Sequence, residues 1–253
     1  MYVDVHAHLY EYSQDELKKH VSDDMVLVVV AEDYESSKKS LELARSHDNI
    51  VPCVGLHPWN IKDLDSALRE AEKILKLAGD NDVRCLGEVG LDTKFVGETI
   101  EIQMRVLRVF LEYAERVGDI SLNLHTAGTW QQVLELIRGL PVRAANFHWY
   151  TGPQHLLEEI ERQGYTISIN PAVKVQEKHR VIAKVAPLEI ILTESDSPYK
   201  YRGLELTPLM VKETVAVIAE LKHMRQEDVA AKVYENFMKR YGYLLELKEA
   251  KIT

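Results

Sequence analysis

The chain has 253 residues, 46% hydrophobic and 28% charged, with 12 glycines and 8 prolines. That composition excludes collagen-like, low-complexity and largely disordered readings. Lys+Arg 31 against Asp+Glu 40 gives a net charge of −9, which argues against a protein that coats DNA through a broadly basic surface. An enzyme that handles a nucleic-acid end in one local basic pocket remains compatible with it.

The first segment, residues 2–9, already reads as a strand, with no charged-then-apolar leader before it. Ser13 and Glu16 stand at capping-box spacing, so Ser13 or Asp15 is expected to cap a short helix. Residues 25–31 form the longest uninterrupted apolar run. They read as a buried strand and fall far short of the ~20 residues of a membrane-spanning helix. A helix over 34–47, a strand over 52–57, a helix over 64–78 and a strand over 83–92 follow. The clearest helix is 99–117, where Ile102, Val106, Val109, Phe110, Tyr113 and Val117 recur at 3–4 spacing. Strands at 120–125, 143–148, 165–170 and 188–196 alternate with helices at 129–138, 154–163 and 175–185. Helices over 208–221 and 226–241 close the chain.

Eight strands alternating with helices, without a long linker, predict an α/β fold: a single (β/α)8 TIM barrel over residues 1–253. The competing architecture is an open doubly wound sheet, and the lack of G-x-G-x-x-G after the first strand weakens its dinucleotide-binding version. Two cysteines cannot make a disulfide framework. By strand alternation Cys53 shares the face of His57, whereas Cys85 lies opposite Glu88, so the two are expected on different sides of the sheet. A cytoplasmic protein is the expectation, with no membrane association and no obligate protein partner.

In a barrel, chemistry gathers at the C-terminal ends of the strands, because loops there vary without disturbing the packed interior. Asp4, His6 and His8 lie at the end of the first strand and, two apart, share one face. Glu88 sits between Gly87 and Gly90 near the end of the fourth, a poor place for a merely solvated carboxylate. His125, His148 and Asp196 end the fifth, sixth and eighth, and Glu194 shares the inward parity of Asp196. Such groups at one end of a barrel converge only near its axis. Imidazoles with carboxylates suit Zn, Mn, Ni or Fe, whereas an oxygen-rich set would favour Mg or Ca. A carboxylate such as Glu88 could bridge two ions, and such a pair activates water for hydrolysis.

These residues resemble the TatD-related metal-dependent hydrolases. The likeness rests on His6-x-His8, Gly87-Glu88-Val89-Gly90-Leu91-Asp92 and Glu194-Ser195-Asp196-Ser197-Pro198-Tyr199, in that order. Gly55-Leu56-His57-Pro58, His148-Trp149-Tyr150-Thr151-Gly152 and Asn236 fit the same pattern. The resemblance implies a TIM barrel of the amidohydrolase superfamily carrying one or two divalent ions (Zn, Mn, Mg or Ni). It also implies deoxyribonuclease or 3′–5′ exonuclease activity. Carried over by position, His6 and His8 would bind the first ion, Glu88 would bridge, and His125 and His148 would hold the second. Asp196 would be a ligand that also takes the proton of the attacking water. His57 would contact substrate rather than metal, and Asp4 would orient a ligand from behind. Glu194 would stand behind a ligand or touch substrate.

Two departures bear on the substrate. Many relatives carry an Arg two residues beyond the histidine equivalent to His125, able to fork onto phosphate, and Ala127 stands there instead. His148-Trp149-Tyr150 replaces a Cys-Phe pair and adds a surface on which a base could stack. Lys94, Lys174, Lys200 and Arg202 are candidate replacements for the missing cation, Arg202 foremost because Arg202-Gly203 also fits the family pattern. The leading expectation is phosphodiester hydrolysis at a nucleic-acid end. The alternative is hydrolysis of an ester, amide or lactone, including aminoacyl-tRNA deacylation, and a non-enzymatic scaffold is the third. His20, His47, His155, His179 and His223 are expected at the surface, and Trp59 and Trp130 either at a pocket mouth or over barrel edges.

Overall fold

The apolar, β-branched runs form a closed ring of parallel strands in the computed structural model, which describes residues 1–252. β1 (Tyr2–Ala7), β2 (Met25–Val30) and β3 (Ile50–Cys53) pair side by side. A second run pairs β4 (Cys85–Gly90), β5 (Ser121–His125), β6 (Ala144–Phe147), β7 (Thr166–Ile169) and β8 (Ile191–Thr193). A bridge between Val54 and Leu86 joins the two runs. At the other seam the Asp196 amide donates to the His6 carbonyl at 2.8 Å, and the His8 amide to the Ser197 carbonyl at 2.7 Å. The ring therefore closes at the end where the polar residues gather. It is a (β/α)8 barrel.

Helices α1 (Gln14–His20), α2 (Tyr34–Ser46), α3 (Leu64–Asp80), α4 (Ile100–Val117) and α5 (Trp130–Ile137) follow the first five strands in turn. α6 (Leu157–Arg162), α7 (Glu177–Val185), α8 (Val211–Lys222), α9 (Gln226–Tyr241) and α10 (Tyr243–Ile252) complete the set. Ser13 caps α1: its hydroxyl accepts from the Glu16 amide at 3.4 Å, and the Glu16 carboxylate accepts from the Ser13 amide at 2.8 Å. A small core of Leu17, Met25, Leu27, Val29 and Leu43 packs outside β1 and β2, and one larger core serves the rest of the barrel. On α4 the buried stripe runs through Gln103, Val106, Leu107, Phe110, Leu111 and Ala114. Val117, expected on that stripe, lies at the exposed end of the helix.

The expected strands overrun the observed ones. Of the residues past the regular ladders, Val54 and Glu194 still donate to neighbouring strands, at the Cys85 and Ile169 carbonyls, and Asp196 closes the seam to His6. The Glu88 amide reaches the Ala31 carbonyl at 2.7 Å, past the short β3, and the His57 amide reaches that of Glu32 at 2.9 Å. Pro52 is tolerated inside β3 because β4 begins only at Cys85, leaving no ladder bond for the missing N–H to make. After β8 the chain makes an antiparallel hairpin, β9 (Tyr199–Tyr201) and β10 (Leu204–Leu206), that the apolar pattern did not announce. Its turn carries positive φ at Arg202 (47°) and Gly203 (86°), as tight hairpin turns require.

Two further expectations are corrected. Cys53 and Cys85 do not face opposite sides: they are joined as a disulfide between β3 and β4, their Cα atoms 4.5 Å apart. The Val54–Leu86 bridge sets the cysteines side by side, and the register of β4 against β5 shifts between Leu86 and Val89. Strict alternation thus fails between Cys85 and Glu88. His179 is not a surface residue but fully buried on α7. Its Nε2 accepts from the Asn170 amide at 3.0 Å, and its Nδ1–H donates to the Tyr150 carbonyl at 3.1 Å.

Burial drives the His179 pKa down to about 4 from 6.5, against the pull of the Tyr150 carbonyl. A lowered histidine stabilises the fold above pH 6.5 and loses that contribution as pH falls toward 4. The effect is on the order of 3 kcal/mol. Denaturant titrations at pH 7 and pH 4.5 should therefore show a smaller stability loss in His179→Asn than in the parent. Equal losses would contradict this.

Candidate functional site

The mouth of the barrel is built by close backbone approach. A Cβ on Gly55 would strike the backbone of Gly87 and Glu88, and one on Gly90 would collide with the His125 carbonyl. Glycine at these places lets β3, β4 and β5 converge, so that Glu88 lies at the centre, 2% exposed. Asp4, also buried, accepts from the amides of Ser195 (2.9 Å) and His6 (3.3 Å) and so ties β1 to the segment after β8. Burial pushes its pKa up to about 8 against those two bonds. It holds the backbone of a candidate ligand, as expected of a group behind the site.

Each Glu88 oxygen serves its own cluster. Oε2 lies 3.2 Å from His6 Nε2 and 3.8 Å from His8 Nε2, and Asp196 Oδ1 is 3.5 Å from both nitrogens. Oε1 lies 2.6 Å from His125 Nδ1, 3.1 Å from His148 Nε2 and 3.2 Å from His57 Nε2. The six candidate ligands, scattered from residue 6 to residue 196, thus meet at one carboxylate.

The outward-facing nitrogens determine which inward ones are bare. His6 Nδ1–H donates to Asn123 Oδ1 at 2.8 Å, an oxygen oriented because the Asn123 amide nitrogen donates to the Val5 carbonyl. His8 Nδ1–H donates to the Val30 carbonyl at 2.9 Å, and His125 Nε2–H to Asp92 at 3.0 Å. His148 Nδ1 points at Glu194 Oε1, 3.5 Å away. Neutral rings with these protons outside present lone pairs inside. His6 Nε2 and His8 Nε2 are then two lone pairs 3.3 Å apart, beside carboxylate oxygens. Such a cluster repels itself unless cations sit within it, so the donor set fits one divalent ion on either side of Glu88.

His57 differs. Its Nδ1 accepts from the Trp59 amide at 3.1 Å, so Nε2 carries the hydrogen and points into the site as a donor. Burial keeps this ring below the ordinary histidine pKa despite Glu88, hence neutral. Although His57, Glu88 and His125 lie within ligating distance of one another, that hydrogen makes His57 a poor ligand. For His8, burial opposes charge, yet Asp196 and Glu88 push its pKa up to about 9. In the absence of a cation, a proton takes its place.

The cavity above this centre measures about 310 Å³. His57 lines it, as do Trp59 and Trp130, which places both tryptophans at the mouth. Glu194 does not line it: fully buried, it accepts from the Trp149 amide at 2.8 Å and from Ser168 Oγ at 2.5 Å, behind His148. Arg202 also stays off the wall, donating to the Val175 carbonyl at 3.1 Å from the exposed hairpin turn. Lys174 and Lys200 are paired with Glu213 (2.5 Å) and Glu205 (2.8 Å). Lys94 alone among the four basic candidates reaches the cavity wall.

Sequence reasoning gave no role to Asn123, Asp92 or Gln103. The Gln103 amide oxygen accepts from the Asp92 amide at 2.7 Å and fixes the loop after β4. A polar residue on the otherwise apolar buried stripe of α4 was the available signal for it, and a polar side chain inside β5 was the signal for Asn123.

Residues 3–242 match the sequence profile of a family described as TatD related DNase. An uncharacterized metal-dependent hydrolase of Methanocaldococcus jannaschii is 28% identical over 245 residues, covering 94% of this chain and 96% of its own. One from Bacillus subtilis is 26% identical over 250 residues, covering 93% and 97%. Among solved structures, a TatD homologue of Escherichia coli superposes with a TM-score of 0.83 at 23% identity, over 95% of this chain and 98% of that one.

The lone-pair pattern predicts that Asp92→Ala and Glu194→Ala each weaken one ion about 10- to 100-fold and spare the other, since each removes the group behind one ring. Elemental analysis after stepwise chelation should show parent protein near two ions per chain and the variants near one. Unchanged retention in both variants would contradict the assignment.

Proposed function

Because this chain belongs to the TatD-related DNase family and is a metal-dependent hydrolase, we propose that it cleaves phosphodiester bonds at a nucleic-acid end, as a deoxyribonuclease of the 3′–5′ exonuclease kind. The observation that carries this reading is the pair of lone-pair clusters sharing Glu88 at the floor of an aromatic-walled cavity. His6, His8 and Asp196 would hold one ion, His125 and His148 the other, with Glu88 between them. When bound, the two ions supply Lewis acidity toward a phosphoryl oxygen and favour ionisation of water.

The chain's own groups do the rest. Asp196 is the candidate base, a carboxylate on the cavity wall 3.5 Å from His8 Nε2. It takes the proton of water as the new P–O bond forms and the bond to the leaving oxygen breaks, and that proton is then available to the leaving alkoxide. His57 Nε2–H, fixed by the Trp59 amide, offers a hydrogen bond to a phosphoryl oxygen. Glu194 stands behind His148, and Arg202 lies outside the cavity.

A second reading keeps the centre and changes the bond to an ester, amide or lactone. Ala127 and the pairing of Lys174 and Lys200 favour it, since few cations face the cavity.

Labelled single-stranded DNA incubated with Mg, Mn or Zn should be cleaved by the parent protein. Asp196→Asn should be slower by roughly 10²- to 10⁴-fold, the usual weight of general-base catalysis. No cleavage above a His6→Ala/His8→Ala control with any of these metals would overturn the nuclease reading, and turnover of a carboxylic-ester panel would then establish the second.

A further inference from the structure

Three large aromatic side chains are well exposed among the described residues: Trp59 (41%), Phe95 (59%) and Tyr199 (42%). All three line this one cavity. Exposed aromatic surface gathered in one place marks a contact for something apolar and flat. The rings form two walls. On one, Trp59 packs edge-on against Phe95, centroids 5.6 Å apart. On the other, Trp149 packs edge-on against Tyr199 (6.0 Å) and Tyr201 (5.1 Å) of the hairpin.

Each wall is linked to the candidate metal centre, one through a tryptophan ring and the other through a tryptophan backbone amide. The Trp59 indole N–H donates to Asp92 Oδ2 at 2.7 Å, the oxygen that also receives His125 Nε2–H. The Trp149 amide donates to Glu194 Oε1, the oxygen facing His148 Nδ1. The Trp149 indole is tied to Gln176 Oε1 at 2.8 Å, and its backbone is held at φ 42°, where a bulky residue stands only under constraint. Neither tryptophan needs these bonds to cover a core. Both are held in fixed relation to the histidines nearest them.

We propose that Trp59 and Trp149 are specificity residues: two ring-stacking faces that each take one nucleobase, on either side of the scissile phosphate. The inference rests on the nucleic-acid reading above and adds to it the means of recognition, stacking in place of phosphate-binding cations. The paired states of Lys174 and Lys200 and the outward placement of Arg202 agree with that. Stacking of a base on an aromatic side chain changes affinity by roughly 5- to 150-fold per base and tolerates any sequence.

The test uses the metal-loaded protein and a thymidine tetranucleotide joined by methylphosphonates, which is uncharged and resists cleavage. An analogue without bases serves as its partner in calorimetric titrations. The base-bearing compound should bind at least about tenfold tighter. Trp59→Leu and Trp149→Leu should each remove part of that preference, Gln176→Ala should weaken it with the Trp149 ring still present, and Trp59→Phe should retain most of it. Metal content measured on every variant separates loss of a face from loss of the fold. Equal binding of the two compounds, or a preference unchanged in both leucine variants, would overturn the proposal. Cleavage of natural DNA is scored separately. Cleavage without base preference overturns the stacking faces and spares the nuclease reading, and base preference without cleavage does the reverse.

Discussion

The organisation of this barrel mouth depends on one buried carboxylate serving two groups of lone pairs. Glu88 presents one oxygen to His6 and His8 and the other to His125 and His148. Buried charge is costly unless compensated, and here burial pushes the Glu88 pKa up while the surrounding imidazoles pull it well down. Without a cation that compensation comes from protons: burial opposes charge on His8 and His148, yet Asp196 and Glu88 push the first up to about 9, and Glu88 and Glu194 push the second well above the ordinary histidine value. The site is poised for cations by what surrounds it.

That poise is set at the outer edge of the site. Asn123, the Val30 carbonyl and Asp92 accept from three rings and fix which nitrogen of each faces inward, while Glu194 lies 3.5 Å behind His148. His57 is the exception that shows the rule: a backbone amide behind it reverses the tautomer and turns a fifth inward nitrogen into a donor. Five histidines of similar placement therefore divide into four candidate ligands and one hydrogen-bonding group. The same carboxylates reach the cavity walls through Trp59 and the Trp149 amide, so changes at the rim and at the floor are mechanically joined.

Much of this was legible in the chain. The eight-strand alternation emerged from β-branched runs, and the candidate ligands from polar residues at the ends of those runs. Strand lengths were less legible, since cross-mouth bonds such as the Glu88 amide to the Ala31 carbonyl leave no local signature. The face of Cys85 was misread because the register shift between Leu86 and Val89 breaks period-two alternation. His179 was misread for a related reason: a helical histidine reads as polar, and nothing local reveals that two backbone groups from other segments enclose it. Glu194 had the right parity, but parity cannot tell a residue facing the cavity from one lying beneath a ligand. The four basic residues show the same limit, because the acidic partners of Lys174 and Lys200 depend on tertiary and hairpin geometry.

Anomalous diffraction at the metal absorption edges, from crystals grown without chelator, tests the lone-pair assignment most directly. Two peaks should flank Glu88, one bonded to Nε2 of His6 and His8, the other to Nδ1 of His125 and Nε2 of His148, with His57 unbonded. A metal bonded to His57 Nε2, or no ion beside Glu88, would contradict it.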